Sequence, residues 1–169
     1  MQKRLIQFLL LLIMLFSSSV FASTADKVIR HRIPNSDFPI LEAVEVPAGL
    51  PIVYLSGQVP TVQDASKPKD SPLAYGGDTK GQTIAVLKSI EKILEKHGLC
   101  MGDVIKMQVF LVADPAKGNR MDFDGFMEGY RQFFGAPGKP RFPVRSTFQV
   151  AGLVNPAWFV EIEVVAVKQ

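Results

Sequence analysis

Apolar positions recur along this chain in two rhythms, and the switches between them mark out its elements. VIRHRIP (28–34) and LEAVEVP (41–47) alternate apolar with polar residues, the period of two expected of half-buried strands. After a turn at Ala48-Gly49, the apolar run PIVYLSGQV (51–59) predicts a more buried strand. Residues 60–81 are rich in Pro, Gly, Asp, Ser and Lys and predict one long loop, of a length that in compact domains is usually functional or mobile. The rhythm then changes to helical. Val86, Leu87, Ile90, Ile93, Leu94 and His97 fall on one face, most of the charged residues fall on the other, and Gly98 closes the helix. VIKMQVFLVA (104–113) predicts a strand. Phe123, Phe126, Met127, Tyr130, Phe133 and Phe134 form a second helical stripe, ended by Gly135, and strands follow near 145–150 and 158–167.

The predicted order, β-β-β-α-β-α-β-β, implies one α/β (α+β) domain with a mixed sheet and both helices on one face. The other face then needs a cover, and a homo-oligomer packing such faces together supplies one.

The first residues change the charge picture. Lys3 and Arg4 precede LIQFLLLLIMLF (5–16) and then SSSVFA, with a small-x-small site at Val20-Phe21-Ala22. This is the build of a secretory signal peptide, and the apolar run is shorter than the roughly 20 residues that span a bilayer. The expected organisation is a signal peptide over 1–22 and one domain over 23–169, exported and periplasmic, with no stable membrane anchor after cleavage; a retained anchor is the alternative. The formal charge of +3 comes from 19 basic and 16 acidic residues, and removing Lys3 and Arg4 leaves 17 against 16. A near-neutral domain gives no support for nucleic acid as a partner. One cysteine, Cys100, excludes an intrachain disulfide.

Several chemistries are poorly supported. YGGDTKGQT (75–83) has neither the G-x-x-x-x-G-K-[ST] nor the G-x-G-x-x-G order of a phosphate or dinucleotide loop, and reads as a loop with a helix start. His31 and His97 lie on different elements without partners at metal-ligand spacing. Cys100 reads as a small hydrophobe in a turn, and neither Ser56 nor Ser146 has a nucleophile elbow around it. No metal site is expected.

The segment PVRSTFQVAGLVNPAWFVEIEVVAV (143–167) resembles a buried β-hairpin, yet it holds Arg145, Glu161 and Glu163. Alternation puts Arg145, Thr147 and Gln149 on one face of their strand and Glu161 and Glu163 together on one face of the next. If the two strands pair as a simple hairpin, one sheet face gathers guanidinium, hydroxyl, amide and both carboxylates. The plain reading is an ion pair on a solvated face. The functional reading is a cleft in which Arg145 clamps a substrate carboxylate while a glutamate handles a water or proton.

On these residues the chain resembles the reactive intermediate deaminase family (RidA, also called YjgF). The matching pieces are Leu55-Ser56-Gly57-Gln58-Val59-Pro60, the run from Gln82 through GLCMGDVIKMQVFLV (98–112), GYRQFFG (129–135), FPVRSTFQVAGL (142–153) and VEIEVVAV (160–167). The resemblance implies a chorismate-mutase-like domain assembled as a homotrimer, with clefts between neighbouring subunits and no cofactor. It also implies hydrolysis of 2-imino or enamine acids to 2-keto acids and ammonia. Arg145 then matches the arginine that holds the substrate carboxylate, and Glu161 matches the glutamate that positions water. Ser56 and Gly57 match residues of the pocket. Thr147 stands where the best-known members carry cysteine, Met127 where they carry asparagine, and the stretch around Ile40 and Leu41 lacks a family tyrosine. Val154 replaces a proline, and loop 61–77 is longer than usual. These departures leave substrate choice open. A trimer that binds small carboxylates or unfolded clients without turnover is the alternative.

Overall fold

The computed structural model describes residues 27–135 and 141–169; the predicted signal segment 1–22 lies outside them. The strands β1 (Ile29–Arg32) and β2 (Leu41–Glu45) form a separate antiparallel ribbon. The main sheet contains β3 (Ile52–Gln58), β4 (Val104–Asp114), β6 (Val144–Val150) and β7 (Val160–Val167). The helices are α1 (Thr79–Lys96) and α2 (Phe123–Tyr130), and a short strand β5 (Arg120–Met121) precedes α2.

The strand order is β3-β7-β4-β6, with β5 pairing the far end of β4. β4 and β6 are parallel, and the remaining pairs are antiparallel. This corrects the expected hairpin. β6 and β7 are not neighbours, because β4 is inserted between them. β4, the longest strand, lies inside the sheet with a partner on each side. The connection from β6 to β7 must then cross the end of β4. It is fastened there by Gln82 of α1, whose Nε2 donates to the Ala157 carbonyl at 2.8 Å and whose Oε1 accepts from the Phe159 amide at 2.7 Å.

Both helices cover one face, as expected. Val86, Leu87, Ile90 and Leu94 of α1, with Phe126 and Tyr130 of α2, meet Met107, Val109 and Leu111 of β4 and Val160, Ile162 and Val164 of β7. Burying each such side chain contributes roughly 1.5–3 kcal/mol. Asp78 caps α1 by accepting the Gly81 amide at 2.8 Å, so the helix begins within the stretch predicted as loop. A Cβ on Gly129 would lie 2.9 Å from the Thr83 side chain, so the glycine permits the close approach of α2 to α1. α2 ends at Tyr130, before its predicted stripe does; Phe133 and Phe134 follow in a turn whose amides bond back to the Tyr130 carbonyl.

The opposite face is covered only at one end. Val28, Val44, Val46 and Leu50, from the β1–β2 region, pack there on Ile105, Val165 and Val167. Beyond them the face is open, with Tyr54 75% exposed and Phe148 stacked on Phe110. The long loop is tied to the β6–β7 connection. Asn155 donates to the Lys69 carbonyl and to the Tyr75 hydroxyl, and Ala74 and Tyr75 are buried against Ala157 and Trp158. Cys100 is exposed rather than packed as a small hydrophobe.

Candidate active site

Register decides which predicted residues meet. Arg145, Thr147 and Gln149 of β6 lie beside Met107, Val109 and Leu111 of β4, whose side chains face the helices. Glu161 and Glu163 of β7 lie beside Phe110 and Gln108, on the alternate positions of β4 that face the open side. Neighbouring residues in a sheet share a face, so Arg145 and Glu161 of one chain lie on opposite faces. The single shared face expected from the hairpin does not form, because β4 separates the two strands.

The structure instead builds two groups. On the helix-covered side, at the edge strand β6, Arg145 enters an aromatic surround. Its Cζ lies 4.4 Å from the Tyr130 ring centre, 5.0 Å from Phe126, 5.7 Å from Phe38 and 5.9 Å from Phe123. Among the described residues no carboxylate lies within ion-pair distance of it. Burial lowers the pKa of the guanidinium from its ordinary value, opposed by the adjoining Tyr130 hydroxyl. Burial likewise raises the Tyr130 phenol above its ordinary range, opposed by the Arg145 charge. That hydroxyl donates to the Pro39 carbonyl at 2.9 Å.

Two polar atoms in this group are buried without hydrogen-bond partners: Arg145 Nη1 and Thr147 Oγ1. Native folds pair nearly all their buried polar groups, and an unpaired one costs about 1–3 kcal/mol. Both lie on one face of β6, two residues apart, and each would be satisfied by a hydrogen-bonding oxygen. The rings attract the cation through their faces, each by about 0.5–2 kcal/mol, and Nη1 is left without a partner.

On the open side, Gly57 and Glu161 come together, with Ser56 next to Gly57 along β3. The β3–β7 register slips between Leu55 and Gln58, so Ser56 and Gly57 form a bulge. The Glu161 carboxylate lies directly on Gly57, and a Cβ built there would collide with Oε1. Nearby, a cleft of about 140 Å³ opens between Tyr54, Lys106, Gln108 and Glu163. Met127 lies on α2 in the same core cluster as Phe126 and Tyr130. It is 4% exposed within the hydrophobic core, which leaves little of its surface for a ligand to touch.

The chain matches the model of the family described as Endoribonuclease L-PSP over residues 24–168. It belongs to the RidA/YjgF family. It is 30% identical over 138 residues to the Escherichia coli (strain K12) protein named "Putative reactive intermediate deaminase TdcF", a match covering 82% of this chain and 93% of that one. A Pyrococcus horikoshii RutC family protein, PH0854, is 32% identical over 117 residues, covering 69% of this chain and 79% of its own. Among solved structures, E. coli TdcF with bound serine superposes with a TM-score of 0.54 at 32% identity, covering 84% of this chain and 98% of that one. The E. coli YjgF gene product gives 0.52 at 28% identity, covering 82% and 94%.

For this RidA/YjgF member, sequence reasoning named the polar atoms but missed the rings. Phe123, Phe126 and Tyr130 carried a signal, the helical stripe, which reads equally as ordinary core. Phe38 carried none, since it lies between strands in an aperiodic stretch.

Proposed function

We propose that the protein hydrolyses 2-imino or enamine acids to 2-keto acids and ammonia. The observation that carries this reading is the pair of unpartnered buried atoms, Arg145 Nη1 and Thr147 Oγ1, set in an apolar surround with no acidic partner among the described residues. A substrate carboxylate satisfies both. The serine bound to E. coli TdcF, a relative, carries such a carboxylate.

In this reading the site is assembled between copies. Arg145 and Glu161 occupy opposite sheet faces, so Glu161 of a neighbouring copy, not of the same chain, meets the Arg145-bound substrate. A closed homotrimer repeats one such junction three times and covers the open face carrying Tyr54 and Phe148. A water polarised by Glu161 adds to C2 of the imine, and the C=N electron pair moves to nitrogen, which takes a proton. Loss of ammonia from the resulting carbinolamine then forms the C2 carbonyl. No covalent enzyme intermediate is needed, and orientation supplies much of the effect. The Gly57 bulge favours the hydrolase over a passive binder, because carboxylate capture alone has no use for a glutamate seated in that way. The same reading includes export to the periplasm, from the Lys3-Arg4 and Leu5–Phe16 pattern, and thus an imine source outside the cytoplasm.

The test generates 2-imino acids in situ with an amino-acid oxidase and follows their disappearance. Wild type accelerates keto-acid formation. Arg145→Ala, which removes a charge-assisted clamp, lowers kcat/KM by about 30- to 150-fold, the equivalent of about 2–3 kcal/mol. Glu161→Gln lowers kcat by about 100-fold. A wild-type rate equal to buffer across a broad panel overturns the hydrolase reading.

A further inference from the structure

The four rings around Arg145 are not equivalent. Phe126 and Tyr130 are fully buried on α2, and Phe123 packs partly against the core. Phe38 lies between β1 and β2 and remains 40% exposed, although its ring centre is 5.7 Å from the guanidinium. A large ring left half in water is ordinarily free to move. The backbone that carries this one is tied down at several points. The Phe38 amide donates to Ser36 Oγ at 3.1 Å, and the Phe38 carbonyl accepts from the Ile40 amide at 2.8 Å. The next carbonyl, Pro39, accepts the Tyr130 hydroxyl at 2.9 Å, and the Leu41 amide donates to the Pro143 carbonyl at 3.1 Å. The last two bonds join the Phe38 turn to α2 and to the residue two before Arg145. The Phe38 backbone is therefore tied both to α2 and to the start of the strand that carries Arg145, while the side chain stays partly exposed.

We infer that Phe38 is the specificity wall of the Arg145 site, selecting acids whose C2 substituent is bulky and apolar, branched or ring-bearing, over those with a methyl group. The inference rests on the reading of Arg145 as the carboxylate clamp. The α2 rings close the guanidinium from the core side, and Phe38, the most exposed of the four rings, stands on another side of it, so an acid that pairs with the unpartnered Nη1 is bound beside that ring. The substituent on C2 begins only two bonds from the carboxylate carbon and meets that ring. Apolar groups gain by leaving water against it. Polar groups lose their hydration there, because the ring offers no hydrogen bond in return.

The experiment uses the full chain and reads binding and turnover separately. Calorimetric titration with pyruvate, 4-methyl-2-oxopentanoate and phenylpyruvate, which are stable keto acids, is set beside kcat/KM for the imines of alanine, leucine and phenylalanine. Wild type is expected to favour the bulky acids at least tenfold in both. Phe38→Ala lowers that ratio fivefold or more, and Phe38→Leu, which keeps an apolar wall, lowers it less. An unchanged ratio in Phe38→Ala, or no preference in wild type, overturns the inference, as does failure of every keto acid to bind. Phe38-dependent binding without any turnover sinks the hydrolase reading and leaves this one standing. Turnover that depends on Arg145 but not on Phe38 does the reverse.

Discussion

The Glu161 carboxylate rests on the Cα of Gly57, at a spot where any other residue's Cβ would strike Oε1. The contact depends on the bulge that breaks the β3–β7 register beside it. Glycine here serves close approach rather than an unusual backbone angle, and that leads to a first prediction. Gly57→Ala displaces the carboxylate while leaving the Arg145 half of the site untouched. Turnover of 2-imino acids falls about 100-fold, the scale of a misplaced acid–base group. Keto-acid binding, measured by titration, changes less than threefold. Equal losses in both would show that the substitution disturbs the whole fold.

Arg145 is expected to serve ligand binding at a cost to stability. Its charge is buried among rings with no carboxylate partner within ion-pair distance in the described chain. Replacing an uncompensated buried charge by an apolar group of similar length is often neutral or stabilising. Arg145→Met therefore keeps or raises Tm, by about 2–4 °C for about 1 kcal/mol in a domain of this size, while titration detects no keto-acid binding. A clear fall in Tm would mean that the guanidinium holds the aromatic cluster together.

Opposite placement of Arg145 and Glu161 makes complementation possible. Arg145→Ala and Glu161→Gln are each nearly inactive. When the two are unfolded together and refolded as a 1:1 mixture, about a quarter of the sites in a cyclic assembly unite an intact arginine with an intact glutamate. Activity near that fraction of wild type is expected. Failure to recover any, with mixed oligomers demonstrated, would place both residues of a working site in the same chain.

The Tyr130 phenol has its folded pKa raised by burial from an ordinary value of 10.0. The folded chain therefore holds this proton where the unfolded chain releases it. Stability from this source is complete below about pH 10 and is lost progressively as pH rises above it. Urea unfolding between pH 8 and 11 should show that decline in wild type and a shallower one in Tyr130→Phe. At pH 8 the variant loses about 1 kcal/mol from the missing bond to the Pro39 carbonyl. Equal slopes for the two proteins would remove Tyr130 as the titrating group.

Much of this molecule is local and therefore legible in the chain. Side chains alternate along any strand, so Arg145 with Thr147, and Glu161 with Glu163, were assigned to common faces from spacing alone. Both helices follow from apolar residues at helical spacing, and both lie on one side of the sheet as the element order implied. Strand partnership is different. Hydrogen bonds between strands join backbone groups that are the same in every residue, so no local pattern states that β4 inserts between β6 and β7. That insertion, pinned by Gln82 some 75 residues before the carbonyl it bonds, moved Arg145 and Glu161 from one face to two. The aromatic surround of Arg145 was likewise hidden, because rings from a helix and from an aperiodic turn converge only after the chain has packed. Sequence by itself determined which residues are polar in apolar strands and which way each points within its strand. Tertiary structure alone decided what each of them faces, since that depends on contacts between segments far apart along the chain.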